Sequence, residues 1–184
     1  YNSIKKYTNF SFSAPTSAGK SYLFQELIKE TKGDIIIVLP SRALLSEYLI
    51  KVKKLVPNTT LVLQFIEIVN TKKTNKRIYI ITPERGEEIF KNIPNLNLEL
   101  ILLDEAQISE EGIRGMKFDS LVRRLDKKLK HVKKVFTHPF IVNPEAQFLK
   151  HNIDTNAISE TYNQKTVGKI YIEHLDGNFK YFSP

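Results

Sequence analysis

The sequence contains no cysteine, and no apolar run in it approaches the roughly 20 residues that a membrane-spanning helix needs. Without cysteine, the chain has neither a disulfide framework nor a thiolate site. It also lacks an internal repeat, a low-complexity segment and the pattern of a signal peptide. We therefore predict a soluble intracellular protein, with the cytoplasm as its expected location and no membrane partner.

The chain starts at Tyr1 instead of methionine, and we interpret it as a segment of a longer polypeptide. Its 184 residues are enough for one domain with a sizeable core and short for two. Lysine and arginine number 28 against 20 aspartate and glutamate, which gives a formal charge of +8. This excess favours a polyanionic partner such as nucleic acid. Lysine-rich runs at 51–54 and 127–130 are, taken singly, more typical of solvated helix faces.

Apolar segments of strand length recur along the chain, and helical patterns separate them. Two of these segments, 35–39 and 100–103, are apolar without alternation, which is typical of central parallel strands covered by helices on both faces. The predicted strands are Asn9–Ser13, Asp34–Leu39, Leu61–Ile66, Arg77–Ile81, Leu98–Leu103 and Val132–Phe136. The predicted helices are Lys20–Glu30, Ser41–Leu55, Pro83–Asn92, Phe118–Leu129 and Pro144–His151. The sequence thus predicts an α/β domain with a mainly parallel sheet.

A β-hairpin is predicted at the carboxyl-terminal end of the sequence. The segments Lys169–Leu175 and Asn178–Phe182 flank Asp176-Gly177, which is a strong hairpin turn signal. We expect this hairpin, within 168–184, to pack on the domain edge or to lead out to a further segment.

The segment Ser13–Ser21, which ends in Gly-Lys-Ser, has the composition of a loop that grips nucleotide phosphates. It follows a predicted strand and opens a predicted helix, so backbone N–H groups at the helix start can bind phosphate oxygens. Lys20 can reach the β and γ phosphates of ATP, and the Ser21 hydroxyl can ligate Mg²⁺. Ala14 stands where the general pattern has its first glycine, so a plain strand-turn-helix is the alternative. The predicted nucleotide-binding residues are Thr16, Ser17, Ala18, Gly19, Lys20 and Ser21.

Two adjacent acids, Asp104 and Glu105, directly follow the predicted strand Leu98–Leu103. Ligands of an open α/β sheet bind at the carboxyl ends of its strands, which would bring Asp104 beside the phosphate loop. Its carboxylate could hold the Mg²⁺ of a bound ATP, and Glu105 could orient and deprotonate the attacking water. Acids at a helix start also occur because the exposed N–H groups favour negative charge, which is the structural alternative. We predict one shared site with Lys20, Asp104 and Glu105 as catalytic residues.

Taken in order, these segments resemble the first RecA-like domain of superfamily 2 helicases of the DEAD/DEAH type. Ala14–Ser21 is similar to their motif I, in which Ala-x-Thr is common, and Asp104–Gln107 is similar to their motif II. The resemblance implies ATP-driven unwinding or translocation of DNA or RNA. Gln107 stands where related proteins often have His or Asp, and we predict that it still acts in catalysis or links the nucleotide site to the opposite domain.

The likeness is strongest to the Ski/Hel308-like group of RNA-processing and DNA-repair helicases. The sequence Ala-Pro-Thr-Ser-Ala-Gly-Lys, here at 14–20, is frequent in that group. As in the group, Arg114-Gly115 follows motif II and Asn143-Pro144-Glu145 follows motif III. The resemblance covers about residues 10–149 and becomes thin beyond them.

Two weaker segments stand where these helicases have motifs Ia and Ib, which contact nucleic acid. Hydroxyls and free N–H groups at a helix N-terminus, with a nearby arginine, can hold the phosphates of single-stranded DNA or RNA without reading its bases. The structural alternative is helix capping by the two hydroxyls, with the proline of the second segment at the first helical position. The predicted contact residues are Pro40, Ser41, Arg42, Thr82, Pro83 and Arg85.

The segment Thr137-His138-Pro139 departs from the Ser/Thr-Ala-Thr expected of motif III after the strand Val132–Phe136. This motif couples hydrolysis to strand movement in the family. Thr137 can still hydrogen-bond to the motif II acids, but Pro139 offers neither an N–H nor a hydroxyl. His138 could sense phosphate, contact Asp104, or be a packed loop residue.

The sequence has no counterpart of motifs IV to VI and no arginine finger, which the second RecA-like domain of these helicases supplies. We therefore expect this lobe to work with a second RecA-like domain of the same polypeptide. The chain alone is expected to bind ATP weakly, hydrolyse it poorly and unwind nothing. The alternatives are a double-strand DNA translocase and, from another class, a nucleic-acid- or nucleotide-binding module without coupled hydrolysis.

Overall fold

A parallel sheet of seven strands is the centre of the structure, a computed structural model that describes residues 2–14, 19–64, 74–110, 112–139, 141, 143–153, 157–161, 171–175 and 178–182. Its strands are β1 (Asn9–Ser13), β2 (Asp34–Val38), β3 (Leu61–Leu63), β4 (Arg77–Ile81), β5 (Leu98–Leu103), β6 (Lys133–His138) and β7 (Ala157–Thr161). They lie in the order β3-β4-β2-β5-β6-β1-β7, and all their pairings are parallel. The predicted α/β architecture is confirmed.

Two further strands, β8 (Tyr171–Leu175) and β9 (Asn178–Phe182), pair antiparallel with each other. This pairing confirms the predicted carboxyl-terminal hairpin. Its predicted turn, Asp176-Gly177, lies outside the described residues.

Helices connect most of the strands of the parallel sheet. They are α1 (Asn2–Lys6), α2 (Lys20–Glu30), α3 (Arg42–Leu55), α4 (Gly86–Asn92), α5 (Gly112–Lys128) and α6 (Ala146–His151), with short 3-10 helices at Pro83–Arg85, Ile93–Asn95 and Ala106–Glu110. Within the described part of the chain, no helix combines the length and the apolar character that crossing a membrane requires.

Both faces of the sheet are covered, because alternate side chains of the central strands enter two separate cores. In β2, Ile35 and Ile37 pack in the core that contains Phe24 of α2, whereas Ile36 packs in the core that contains Phe118 of α5. All five residues of β2 are therefore buried. A strand without a solvent face has few polar positions, which is why 35–38 are apolar without alternation. The buried Asp34 at the start of β2 accepts hydrogen bonds from the Arg77 and Asn97 N–H groups.

The predicted end of the sixth strand is wrong. β6 continues through Thr137 and His138, which pair with Phe12 and Ser13 of β1. The apolar pattern stops at Phe136, but β1 supplies hydrogen-bonding partners for two more residues. Thr137 and His138 therefore belong to the strand, and only Pro139 follows it.

The start of α5 is a second difference. This helix begins at Gly112, six residues before the predicted start at Phe118. In its first turns the apolar residues Ile113 and Met116 are 70% and 64% exposed. These turns therefore have no apolar face towards the core, and the sequence pattern did not reveal them. Smaller differences are α3 starting at Arg42, α6 starting at Ala146, β2 ending at Val38, and the unpredicted α1 and β7. The predicted end of the third strand, Ile66, lies outside the described residues.

Three lysines at the amino-terminal ends of strands bind the carboxyl-terminal ends of helices. Lys76 Nζ donates to the Ile28 and Thr31 carbonyls at the end of α2. Lys133 Nζ donates to carbonyls at and just beyond the end of α1. Lys134 Nζ donates to two carbonyls just beyond α5. Cations are favoured at helix carboxyl termini, so part of the positive charge stabilises the fold rather than binding a partner.

We expect Lys134→Met to destabilise the domain by roughly 2–3 kcal/mol, because charge-assisted hydrogen bonds are lost. The Lys134 side chain is fully buried, and its ammonium lies 3.2 Å from the largely buried Asp126 carboxylate. Methionine keeps the length of the chain but leaves Asp126 and the two carbonyls without their donor. Urea unfolding of this variant measures the loss, and Lys130→Met, at an exposed position, serves as the control. Equal stability of the two variants would refute a capping role for Lys134.

Candidate functional site

The candidate nucleotide site lies at the carboxyl ends of β1, β6 and β5, which are neighbours in that order. Lys20 follows β1, and its Nζ donates to the His138 carbonyl oxygen over 3.1 Å. Asp104 follows β5, and its Oδ1 accepts from Thr137 Oγ1 over 2.7 Å. Two consecutive residues of β6 therefore contact the lysine and the aspartate. This arrangement brings the two predicted motifs together at one edge of the sheet.

The charge of Lys20 is influenced by both acids. Burial lowers the pKa of the Lys20 ammonium, and the Asp104 and Glu105 carboxylates oppose this shift through space. The two acids compensate only part of the cost of burying the ammonium. A nearby anion such as a phosphate would therefore stabilise its charge further. Lys20, Asp104 and Glu105 thus form one electrostatic unit.

The start of α2 has the backbone shape of a phosphate loop where the structure describes it. Gly19 precedes the helix with φ +86°, a left-handed conformation that glycine adopts at little cost. Among the described residues, no side chain caps this helix start, so its N–H groups can bind an anion. Ser21 lies exposed in the first turn. The predicted contacts Thr16, Ser17 and Ala18 lie outside the described residues.

The Asp104 carboxylate is held by donors from three elements. Besides Thr137 of β6, the backbone N–H of Glu105 donates to Oδ1 over 3.0 Å. Tyr48 of α3 donates its hydroxyl to Oδ2 over 2.8 Å. Burial, followed by the charge of Asp104, raises the pKa of the Tyr48 hydroxyl, so this group remains a donor at neutral pH.

Glu105 adopts a left-handed backbone with φ +48°, which is uncommon for a residue other than glycine. Its carbonyl accepts from the Ile108 N–H over 3.0 Å, which starts the 3-10 helix Ala106–Glu110. Within the described ranges, no group hydrogen-bonds to the Glu105 carboxylate. A strained backbone that leaves a carboxylate free is compatible with a general base.

Gln107 lies in the 3-10 helix that follows the acid pair. Its side chain is partly buried, and no described residue hydrogen-bonds to its Oε1. The preceding carbonyl, of Ala106, accepts from Gln147 Nε2 of α6 over 3.2 Å. The structure therefore places Gln107 next to the acid pair, and its predicted catalytic or interdomain role stays a prediction.

The two predicted strand-contacting segments lie side by side, because β2 and β4 are neighbours. Ser41 and Thr82 occupy the positions that precede helices, but neither side chain makes a capping hydrogen bond. The capping alternative is therefore wrong for both hydroxyls. Burial alone would raise the pKa of the Glu84 carboxyl. Hydrogen bonds, the largest from the Thr82 hydroxyl, and the Arg114 charge oppose burial and lower this pKa overall. Pro83 occupies the first position of a 3-10 helix, as predicted.

The two arginines of these segments differ in their surroundings. Arg42 is exposed at the start of α3. Arg85 is partly buried, and its Nη1 donates to the Gln64 carbonyl at the end of β3 over 3.0 Å. Arg42 is thus the more accessible of the two to a nucleic-acid phosphate. Pro40 is partly exposed beside it.

His138 is fully buried and packs against β1 rather than against the acids. Its Nε2 lies 3.0 Å from Ser11 Oγ, whose hydrogen is donated to the Pro144 carbonyl over 2.6 Å. Because a hydroxyl has one hydrogen, His138 Nε2 must carry its own proton and donate it to Ser11. Its ring therefore bonds to Ser11 instead of Asp104.

Pro139 contacts β1 through its carbonyl oxygen, which accepts from Ser13 Oγ. This contact does not need the N–H that proline lacks. Ser13 Oγ lies 3.0 Å from the Pro139 carbonyl and 2.8 Å from the Ile141 carbonyl, and it accepts from the Ile141 N–H. The Thr137–Pro139 segment thus links the strand before the phosphate loop to Asp104.

We expect the stability of the domain to fall steeply between pH 6.5 and 4. Burial lowers the pKa of His138 and of His151 to about 4. The folded state keeps both rings neutral, whereas the unfolded chain binds protons near pH 6.5, so stability is complete above pH 6.5 and is lost towards pH 4. Each ring contributes roughly 3 kcal/mol at most. Denaturant unfolding across this range measures the loss.

A matched pair of variants identifies the groups responsible. His151→Gln should flatten the pH dependence of the unfolding free energy by about half. His131→Gln, at an exposed position, should leave it unchanged. A pH profile that stays the same in His151→Gln would show that other groups cause the acid sensitivity.

The donor set of the site fits Mg²⁺. This ion is usually bound by one or two carboxylates together with substrate phosphates and water, and Asp104 and Ser21 supply oxygen ligands of the right type. The described residues contain no cluster of three or more histidine, cysteine or acidic side chains that could hold a metal alone. A site at Asp104 therefore depends on nucleotide phosphates.

Sequence reasoning missed three contributors to this site: Tyr48, Ser11 and Ser13. Tyr48 follows Leu44 and Leu45 at helical spacing, so it is indistinguishable from a core residue until its hydroxyl is located. The serines alternate with Phe10 and Phe12, which indicates a strand but not the partners of its polar face. No local pattern could have identified these contacts.

Comparison with known proteins gives two results. A family model described as DEAD/DEAH box helicase matches residues 1–144. The chain is also similar to the crystal structure of the Pyrococcus furiosus Hef helicase domain, with a TM-score of 0.57 and 15% sequence identity. That match covers 86% of this chain and 36% of the Hef chain. At this identity the likeness shows the fold alone, a RecA-like α/β fold. No curated protein matches the chain.

Proposed function

The chain belongs to the DEAD/DEAH box helicase family, and from this premise we propose that it is the ATP-binding lobe of an ATP-dependent helicase that acts on DNA or RNA. The main support for the proposal is that two consecutive residues of β6 contact the phosphate-loop lysine and the first acid of the acid pair. Thr137 binds Asp104, and the His138 carbonyl accepts from Lys20. A lysine and a carboxylate that follow the strands on either side of β6 supply what a metal-bound nucleotide requires.

Each residue of the site has a separate chemical role in the proposed hydrolysis. Lys20 would exchange the His138 carbonyl for a phosphate oxygen and bind the triphosphate. Glu105 would take a proton from the water that attacks the γ-phosphorus, as the bond to the ADP oxygen breaks. Asp104 and Ser21 would hold Mg²⁺, which when bound neutralises charge on the phosphate oxygens. Thr137 would keep Asp104 oriented.

The neighbouring segments after β2 and β4 are the proposed track for a single strand. The start of α3 after Ser41 is uncapped, and the 3-10 helix after Thr82 begins beside it at the same edge of the sheet. Ser41 and Arg42 can bind backbone phosphates, which carry no sequence information, whereas Thr82 is buried and its hydroxyl bonds to Glu84. Contacts of this kind suit a protein that moves along any sequence.

The proposal has two more specific parts. The chain would belong to the Ski/Hel308-like subgroup, and it would work with a second RecA-like domain of the same polypeptide. Arg114-Gly115, a feature of that subgroup, lies near the proposed strand track, since Arg114 Nε is 3.6 Å from Glu84 Oε1. A second lobe of the same polypeptide would supply an arginine to the γ-phosphate, a contribution of about 10³ to 10⁵ in rate. The chain alone would then hydrolyse ATP poorly.

Phosphate release in the presence of single-stranded RNA or DNA tests the proposed function. The protein that carries this lobe should hydrolyse ATP, and the strand should accelerate the reaction. Strand displacement from a partial duplex would separate a helicase from a double-strand translocase. ATP or nucleic-acid binding without strand-stimulated hydrolysis would instead indicate the uncoupled binding module and overturn the proposal.

A further inference from the structure

The hydrogen bonds around Asp104 leave a defined capacity for a metal ion. A carboxylate oxygen has two lone pairs. Oδ1 accepts from Thr137 Oγ1 and from the Glu105 N–H, whereas Oδ2 accepts from the Tyr48 hydroxyl. Counting donors from the described residues, Oδ1 is therefore full, and one lone pair is left on Oδ2. Tyr48 occupies the other lone pair of that same oxygen.

Tyr48 also lies close to the second candidate ligand. Its side chain lines the cavity between α2 and α3, and Ser21 of α2 lines the same cavity. The Tyr48 hydroxyl thus contacts Asp104, and its side chain shares a cavity with Ser21, the other predicted ligand. Its ring is packed partly into the core formed by α2 and α3, which limits the directions available to the hydroxyl.

We propose that Tyr48 is a positioning residue for divalent-cation binding, because its hydroxyl fixes Asp104 with one Oδ2 lone pair left for the ion. The proposal rests on the proposed function, since the ion is the Mg²⁺ of a bound nucleotide. Outer contacts of this kind orient metal ligands, and their loss typically costs 10–100-fold in metal affinity. Tyr48 does not touch the reacting atoms, so its effect should appear in the Mg²⁺ requirement rather than in the chemistry.

The test is a Mg²⁺ titration of nucleotide binding, measured with N-methylanthraniloyl-ADP and without turnover. Tyr48→Phe removes one hydroxyl and keeps the ring. We expect the half-saturating Mg²⁺ concentration to rise about tenfold, with nucleotide binding in EDTA unchanged and full binding recovered at high Mg²⁺. Tyr7→Phe is the matched control, because Tyr7 lies before β1 at the opposite edge of the sheet. It should behave as the unaltered protein does.

Three outcomes separate the proposal from its alternatives. An unchanged Mg²⁺ requirement in Tyr48→Phe would overturn the positioning role. Equal weakening of binding with and without Mg²⁺ would assign Tyr48 a merely structural role and also overturn it. If the unaltered protein bound nucleotide without any dependence on Mg²⁺, the proposed function itself would fail, whatever the variant did.

A second measurement avoids any effect of the substitution on folding. The protein with 3-fluorotyrosine at position 48 keeps the hydroxyl, and its ¹⁹F resonance reports on the surroundings of that ring. The resonance should shift when MgCl₂ is added in the presence of ADP and should respond less to ADP with EDTA. A ¹⁹F chemical shift that does not change when Mg²⁺ is added would contradict the proposed contact.

Discussion

Replacing Glu105 with glutamine is expected to lower ATP turnover roughly 100- to 10,000-fold, because an amide cannot accept the proton of the attacking water. Glutamine has the same shape, and the Glu105 contacts to Asp104 and Ile108 use the backbone only. The site should therefore remain folded and still bind nucleotide. Steady-state phosphate release and nucleotide affinity, measured on the same preparation, give the two quantities.

Glu110→Gln is the matched control for this substitution. Glu110 is an exposed acid at the end of the same 3-10 helix, so its variant loses the same charge without losing the proposed base. Its turnover should equal that of the unaltered protein. Retention of turnover in Glu105→Gln would remove the catalytic assignment of Glu105 and leave the fold intact.

Replacing Lys20 with methionine is expected to lower kcat/KM for ATP roughly 100- to 1,000-fold, because a charge-assisted donor to the phosphates is lost. The effect should appear in nucleotide binding as well as in turnover, in contrast to Glu105→Gln. Among the described residues, the Lys20 ammonium hydrogen-bonds only to the His138 carbonyl, so the unfolding free energy should change little. Fluorescence titration with a labelled nucleotide and urea unfolding measure the two effects.

Lys29→Met provides the comparison for Lys20. Lys29 lies in the last turn of the same helix, where it is half exposed and pairs with Glu26. Its loss changes the net charge by the same amount at the far end of α2. Similar loss of nucleotide affinity in both variants would mean that net charge, and not a phosphate contact of Lys20, governs binding.

The fold could be predicted where one physical pattern decided the structure. The bounds of β1, β4, β5 and α2 agree with the prediction, because their burial patterns are strong and turn residues delimit them. β7 was missed because an edge strand with partly exposed residues lacks a continuous apolar run. β6 extends past Phe136 because its neighbour β1 pairs with two further residues, and such partners are not visible in the local sequence.

The candidate site shows the same limit. Lys20, Asp104 and Glu105 were predicted to lie together because strand ends of a parallel sheet collect at one edge, and the structure places them at one edge. The direction in which a hydroxyl points depends instead on tertiary packing. That is why the Ser41 and Thr82 side chains do not cap their helices and why the contact of Tyr48 with Asp104 was not predicted.

The most direct test of the account is a crystal structure of the protein with Mg²⁺ and a non-hydrolysable ATP analogue. We expect Lys20 Nζ to leave the His138 carbonyl for a phosphate oxygen and Asp104 to face the Mg²⁺ on the same triphosphate. A triphosphate bound away from Glu105, with Lys20 still on the His138 carbonyl, would contradict it.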